Sequence, residues 1–137
     1  MFDETTIPNL GDVVEYHPVE EGEYKLRITK VEQTVSKSTD RRGAWLTLVV
    51  LGEEEADYIR HGIWFPMEGD DQRKSNNMLR SIKELALACQ LPAEGGFSLG
   101  AFQDCEFTGL LGIEEMEDKD GNKTGRFRNV LKRAILD

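Results

Sequence analysis

The run Ala44 to Leu51 constrains this chain more than any other segment. It reads Ala-Trp-Leu-Thr-Leu-Val-Val-Leu. Leu46, Leu48 and Val50 fall on one side of a period-two pattern, and Trp45, Thr47 and Val49 fall on the other. β-branched and aromatic residues at that period fit a strand with one buried face, and they fit a helix poorly. The rest of the chain must therefore supply partner strands.

It does so with four further alternating segments. Residues 23–35 place Tyr24, Leu26 and Ile28 on one face and Lys25, Arg27 and Thr29 on the other, with a bend expected near Lys30-Val31. Residues 58–67 set Ile59, Ile63, Phe65 and Met67 against Arg60, Gly62, Trp64 and Pro66, and Pro66 marks a strand end or a sheet edge. Residues 104–114 alternate Cys105, Phe107, Gly109, Leu111 and Ile113. Residues 126–136 put Phe127, Leu131 and Ile135 on one face and Arg126, Arg128 and Lys132 on the other, after a turn containing Asp120-Gly121. Tyr24 and Phe127 are accordingly expected in the core.

One stretch breaks the period. Over residues 73–91, Met78, Ile82, Leu85 and Cys89 recur at helical spacing, with Leu79 and Ala86 widening the stripe. Asp71 or Ser75 is placed to cap the start, and Pro92 with Gly95-Gly96 stops the helix. Residues 1–21 carry Pro8, Gly11 and Pro18 among acids and read as an acidic, loosely ordered arm before a domain covering 22–137. The order β-β-β-α-β-β in a mainly β chain matches a five-stranded OB-fold barrel with one α-helix between strands 3 and 4. Another small α+β sheet with the same order is the competing architecture.

Charge bears on function through its distribution. The 137 residues carry a formal charge of −9, which by itself disfavours a polyanionic partner. Resolved along the chain, residues 24–42 sum to +4 and residues 119–133 to +5, against −7 over 1–23 and −6 over each of 53–71 and 104–118. The two basic blocks coincide with the first loop and the last hairpin, which an OB-fold uses to grip a strand.

Other chemistries find no support in the residues. Cys89 and Cys105 belong to no C-x-x-C pair, and His17 and His61 are the only histidines, so a zinc site would need unusual spacing. Two free, mostly buried thiols in a reducing compartment are expected instead. Asp118 to Lys123 opens like a calcium loop, yet Lys123 stands where the turn glycine is needed and Asn129 occupies the twelfth position. Gly95 to Gly100 has no lysine to make a phosphate-binding loop. Asp70-Asp71 reads as a helix cap and solvated turn rather than a nuclease carboxylate pair. No catalytic triad can be assembled from two histidines. No apolar stretch reaches the about 20 residues of a membrane span, and Met1 to Glu4 begin no signal peptide. The expectation is a cytoplasmic, non-enzymatic protein without a cofactor.

Four pieces of the sequence resemble a family of small phage-encoded single-stranded DNA-binding proteins. They are Pro18-Val19-Glu20-Glu21-Gly22-Glu23-Tyr24, then Ser36-Lys37-Ser38 ahead of Trp45 to Val50, then Leu85-Ala86-Leu87-Ala88, and finally Asn129-Val130-Leu131-Lys132. The resemblance implies an OB-fold that coats single strands in phage replication or recombination, within the host-cell cytoplasm. The chain ends Ala134-Ile135-Leu136-Asp137. It therefore departs from bacterial single-strand binders, whose acidic, phenylalanine-ended tail recruits partners.

Coating a single strand takes cations along the backbone path and flat rings for the bases, with stacking contributing about 1–3 kcal/mol per base. The polar strand faces offer Lys25, Arg27, Trp45, Thr47, Arg60 and Trp64. The first loop adds Arg41 and Arg42. The last hairpin adds Lys119, Lys123, Arg126, Arg128 and Lys132. Single-stranded DNA is the expected partner, although these residues do not distinguish it from RNA. Replication or recombination proteins and a second subunit, reached through an edge near Pro66 or through the arm, are further expected partners. Two readings compete: an acidic DNA mimic that inhibits a host enzyme, and a protein-interaction OB domain with both tryptophans in an interface.

Overall fold

The computed structural model describes residues 5–136. One five-stranded antiparallel sheet runs in the order β3-β2-β1-β4-β5. Its strands are β1 (Gly22–Val35), β2 (Arg42–Val50), β3 (Ile59–Trp64), β4 (Glu106–Glu117) and β5 (Lys123–Ala134). A single helix, α1 (Gln72–Ala88), lies between β3 and β4.

The alternation in β2 decides which face is buried. Leu46 and Leu48 are fully buried, as are Leu26 and Ile28 of β1, Ile59 of β3, Leu111 of β4 and Phe102 of the connection before it. Each such side chain contributes about 1.5–3 kcal/mol of transfer free energy. β1 is the shared strand. Residues 22–27 pair with β4 and residues 26–35 with β2, and the register slips between Ile28 and Lys30. Thr29 is the extra residue of that bulge, close to the expected bend. It leaves Thr29 and Lys30 both on the outer side and returns Val31 to the inner one.

The helix begins where Asp71 accepts a hydrogen bond from the Lys74 backbone N–H at 2.7 Å. It ends where Gln90 takes φ 62° and the Leu91 N–H reaches back to the Ala86 carbonyl at 2.8 Å. Leu85, Ala86 and Cys89 are buried against the sheet. Leu79, expected to widen that stripe, is 52% exposed, because the core-facing stripe is narrower than the sequence pattern suggested.

Two further expectations need correction. The sheet is not closed into a barrel. The edges β3 and β5 bring Cα atoms within 8 Å of each other but share no hydrogen-bonded ladder. Phe127 is not a core residue and is 52% exposed. It lies opposite Glu115 on the outer half of the β4–β5 hairpin, beyond the Leu111–Leu131 pair where the core ends. The inward position between them belongs to Asn129, which is buried and holds the arm. Its Oδ1 accepts from the Val19 N–H at 2.8 Å, and its Nδ2 donates to the Val19 and Gly112 carbonyls at 2.9 and 3.1 Å. Those bonds satisfy groups that would otherwise be buried unpaired.

The thiols meet across the fold. Cys89 closes α1 and Cys105 precedes β4, and both are free. Burial, reinforced by the neighbouring Cys105 thiol, pushes the Cys89 thiol up to about 12. Among the described residues no helix is long and apolar enough to cross a membrane.

Candidate nucleic-acid interface

Cross-strand register gathers the aromatic residues on the outer face of β2 and β3. Gly43 faces Trp64, Trp45 faces Gly62, and Thr47 faces Arg60. The two indoles are half-buried and meet edge to face, with centroids 5.7 Å apart and planes at 84°. Glycine is what lets them lie there. A Cβ on Gly62 would stand 3.0 Å from both Trp45 Cζ3 and Trp64 Nε1, and one on Gly43 would run into the Trp64 ring and the Ile63 carbonyl. The rings therefore rest on bare backbone, each flanking a glycine of the neighbouring strand. Arg60 sets its guanidinium carbon 4.7 Å from the Trp45 ring centroid.

Beside the rings lies a shallow depression of about 440 Å³ lined by Lys30, Glu32, Thr47, Tyr58 and Arg60. Tyr58 is exposed and shares the outward parity of Arg60 and Trp64. Sequence reasoning missed it and Lys30. Tyr58 was legible from parity alone, whereas Lys30 reached this face only through the bulge at Thr29.

The expected cations divide into groups. Lys25 and Arg27 extend the outer face along β1. Arg27, however, donates from Nε and Nη2 to Glu106 Oε2 at 3.2 and 2.6 Å, which holds Glu106 below its usual value and raises the guanidinium. Arg126, Arg128 and Lys132 share the outward parity of β5. Arg128 Nη2 pairs with Glu114 at 3.1 Å, Lys132 with Glu21 at 3.8 Å, and Lys123 with Glu117 at 3.2 Å. Among the described residues, Lys25, Arg42, Lys119 and Arg126 make no ion pair.

The two loop arginines are engaged away from the tryptophans. Arg41 is a structural residue, its side chain only 11% exposed. It grips both oxygens of Asp70 at 2.7 and 2.8 Å and donates to the Phe65 carbonyl at 2.9 Å. Those hydrogen bonds, with one from the Met67 N–H, hold the Asp70 carboxyl far below the usual carboxylate range. Arg41 thus ties the β1–β2 loop to the segment that launches α1 through a bidentate pair. Arg42 keeps the inward parity of Ala44 and lines a separate hollow with Gln33, Val35, Phe65 and Leu99.

Fold and site together define a small, mainly β protein that carries an aromatic, cation-flanked platform on one outer sheet face. The chain belongs to DUF669, a family of proteins of unknown function, whose model matches residues 9–106. That span contains the tryptophans, the Arg41–Asp70 tie and α1, and it stops as β4 begins. Comparison with curated proteins gives no match.

Proposed function

We propose that this protein is a non-catalytic, sequence-tolerant single-stranded DNA-binding protein of OB type, coating single strands in phage replication or recombination. The observation that carries the reading is the Trp45–Trp64 pair laid on Gly43 and Gly62, with Arg60 at the Trp45 ring. Indoles seated over bare glycine backbone can offer a π face to any base, which is what sequence-tolerant stacking requires. A base stacking on Trp45 takes the place of Arg60, and the released guanidinium turns to a phosphate. Lys25 on the same outer face extends the cationic path, as does Lys30 once a phosphate displaces Glu32 from its ammonium, 3.4 Å away. The four ladders and the approach of β3 to β5 support the OB reading, since joining those edges would close a five-stranded barrel.

Few cations on this face lack a carboxylate partner, so the salt dependence is shallow. With about three phosphates neutralised at about −0.7 each, the log–log slope is near −2. The test is a titration of intrinsic tryptophan fluorescence with oligo-dT, oligo-rU and duplex DNA at low salt. Saturable quenching by oligo-dT that exceeds the response to duplex is the expected result. An unchanged emission spectrum with all three would end the proposal.

A further inference from the structure

Exposed apolar side chains gather around α1, and one of them, Phe97, also packs edge to face on the buried Phe102 ring, centroids 5.4 Å apart. Leu79, Leu87, Phe97 and Leu136 are all exposed, and they line one groove of about 670 Å³ beside the buried stripe. Its rim is cationic. Arg80 and Lys83 line it and make no ion pair among the described residues, with Glu84 the single acid.

The arm has the opposite character. Ile7, Leu10, Val13, Val14 and Tyr16 are exposed, Asp12 and Glu15 are interleaved with them, and residues 5–21 contain no lysine or arginine. His17 ties it to the fold: its backbone N–H donates to the Glu55 carbonyl at 3.0 Å and its carbonyl accepts from the Asp57 N–H at 3.0 Å. That tether sits at the β2–β3 connection, and among the described residues no arm residue lines the α1 groove of its own copy. Residues 10–16, which carry most of these apolar and acidic side chains, can span about 23 Å when extended, enough to reach a neighbouring molecule.

We propose that the acidic, apolar arm of one copy docks into the α1 groove of a second copy. Exposed leucine and valine side chains would fill the groove, and Asp12 and Glu15 would meet Arg80 and Lys83. Both partners in that contact are unsatisfied surfaces of matching chemistry: apolar against apolar, and acid against base. This pairing is independent of nucleic acid, and it leaves the tryptophan platform uncovered.

Sedimentation velocity on the full chain without nucleic acid tests it. The wild type should rise with concentration from 15.5 kDa toward twice that mass. Leu79→Glu/Leu87→Glu in the groove and Leu10→Asp/Val14→Asp in the arm should each hold the chain monomeric. All four positions are exposed, so the thermal unfolding curves should not move. Mixing the two variants should restore a dimer, because one keeps its arm and the other its groove. A wild type that stays monomeric at every concentration overturns the proposal. So does association that survives either variant, or a mixture that fails to recover.

Discussion

The tryptophan platform on β2–β3 and the β4–β5 hairpin were both expected to meet nucleic acid, and they have come out differently. On β2–β3, residues of one outward parity converge, and neither Trp45's partner Arg60 nor the rings themselves are engaged by a carboxylate among the described ion pairs. Trp45, Trp64, Tyr58 and Arg60 sit together, with Glu32 beside Arg60 and the acids Glu53, Glu54 and Asp57 gathered at the Tyr58 end. On the hairpin, the basic block 119–133 folds back against the acidic block 104–118. Antiparallel register then sets Glu114 beside Arg128 and Glu117 beside Lys123. Charge that is segregated along the chain becomes mixed in space. Such exposed pairs contribute little to stability, but they reduce the positive potential available to a phosphate.

The largest effect expected from this contrast is on the platform. Trp45→Ala and Trp64→Ala should each weaken oligo-dT binding by about 1–3 kcal/mol, read by fluorescence anisotropy of a labelled strand. Their thermal unfolding should shift far less than that of a core truncation such as Leu46→Ala, which costs about 2–5 kcal/mol. Collapse of the fold in either tryptophan variant would reassign the rings to the core.

Next comes the floor beneath them. Gly62→Val pushes against both rings, so it should red-shift the tryptophan emission and lower affinity for the strand while leaving each indole in the sequence. Binding equal to wild type would show that the seating of the rings over glycine is irrelevant.

Arg60→Ala removes a surface cation–π contact worth about 0.5–1 kcal/mol and one phosphate contact. The salt slope should flatten by about 0.7, measured as affinity against salt concentration. The smallest effect belongs to the hairpin. Arg128→Ala and Lys123→Ala, each already paired with a glutamate, should change the slope by less than Arg60→Ala does. The reverse ranking would move the interface from β2–β3 to the hairpin.

Acidification probes the same comparison from the side of stability. The Asp70 carboxyl is depressed in the folded state, so its contribution is complete above the ordinary carboxylate value of about 3.9 and is lost as pH falls below that. Thermal midpoints followed from pH 7 downward should fall in this window, and Asp70→Asn should flatten the fall. The hairpin pair Glu114–Arg128 is exposed and screened by solvent, so Glu114→Gln should leave the profile nearly unchanged.

Local periodicity determined much of this protein. The inward faces of β1, β2 and β3, the Asp71 cap and the outward placement of both tryptophans were legible because alternation and capping depend on residues a few positions apart. What each charge would face was not legible. Arg41 meets Asp70, Arg27 meets Glu106 and Asn129 meets Val19 across 29, 79 and 110 residues, and only register decides such encounters. Phe127 misled for a related reason. Its parity is that of Leu131, but parity does not tell where the hairpin outruns the core. The glycines under the indoles belong to the same class: each is an unremarkable residue in its own strand and becomes a floor only when the next strand lays a ring upon it.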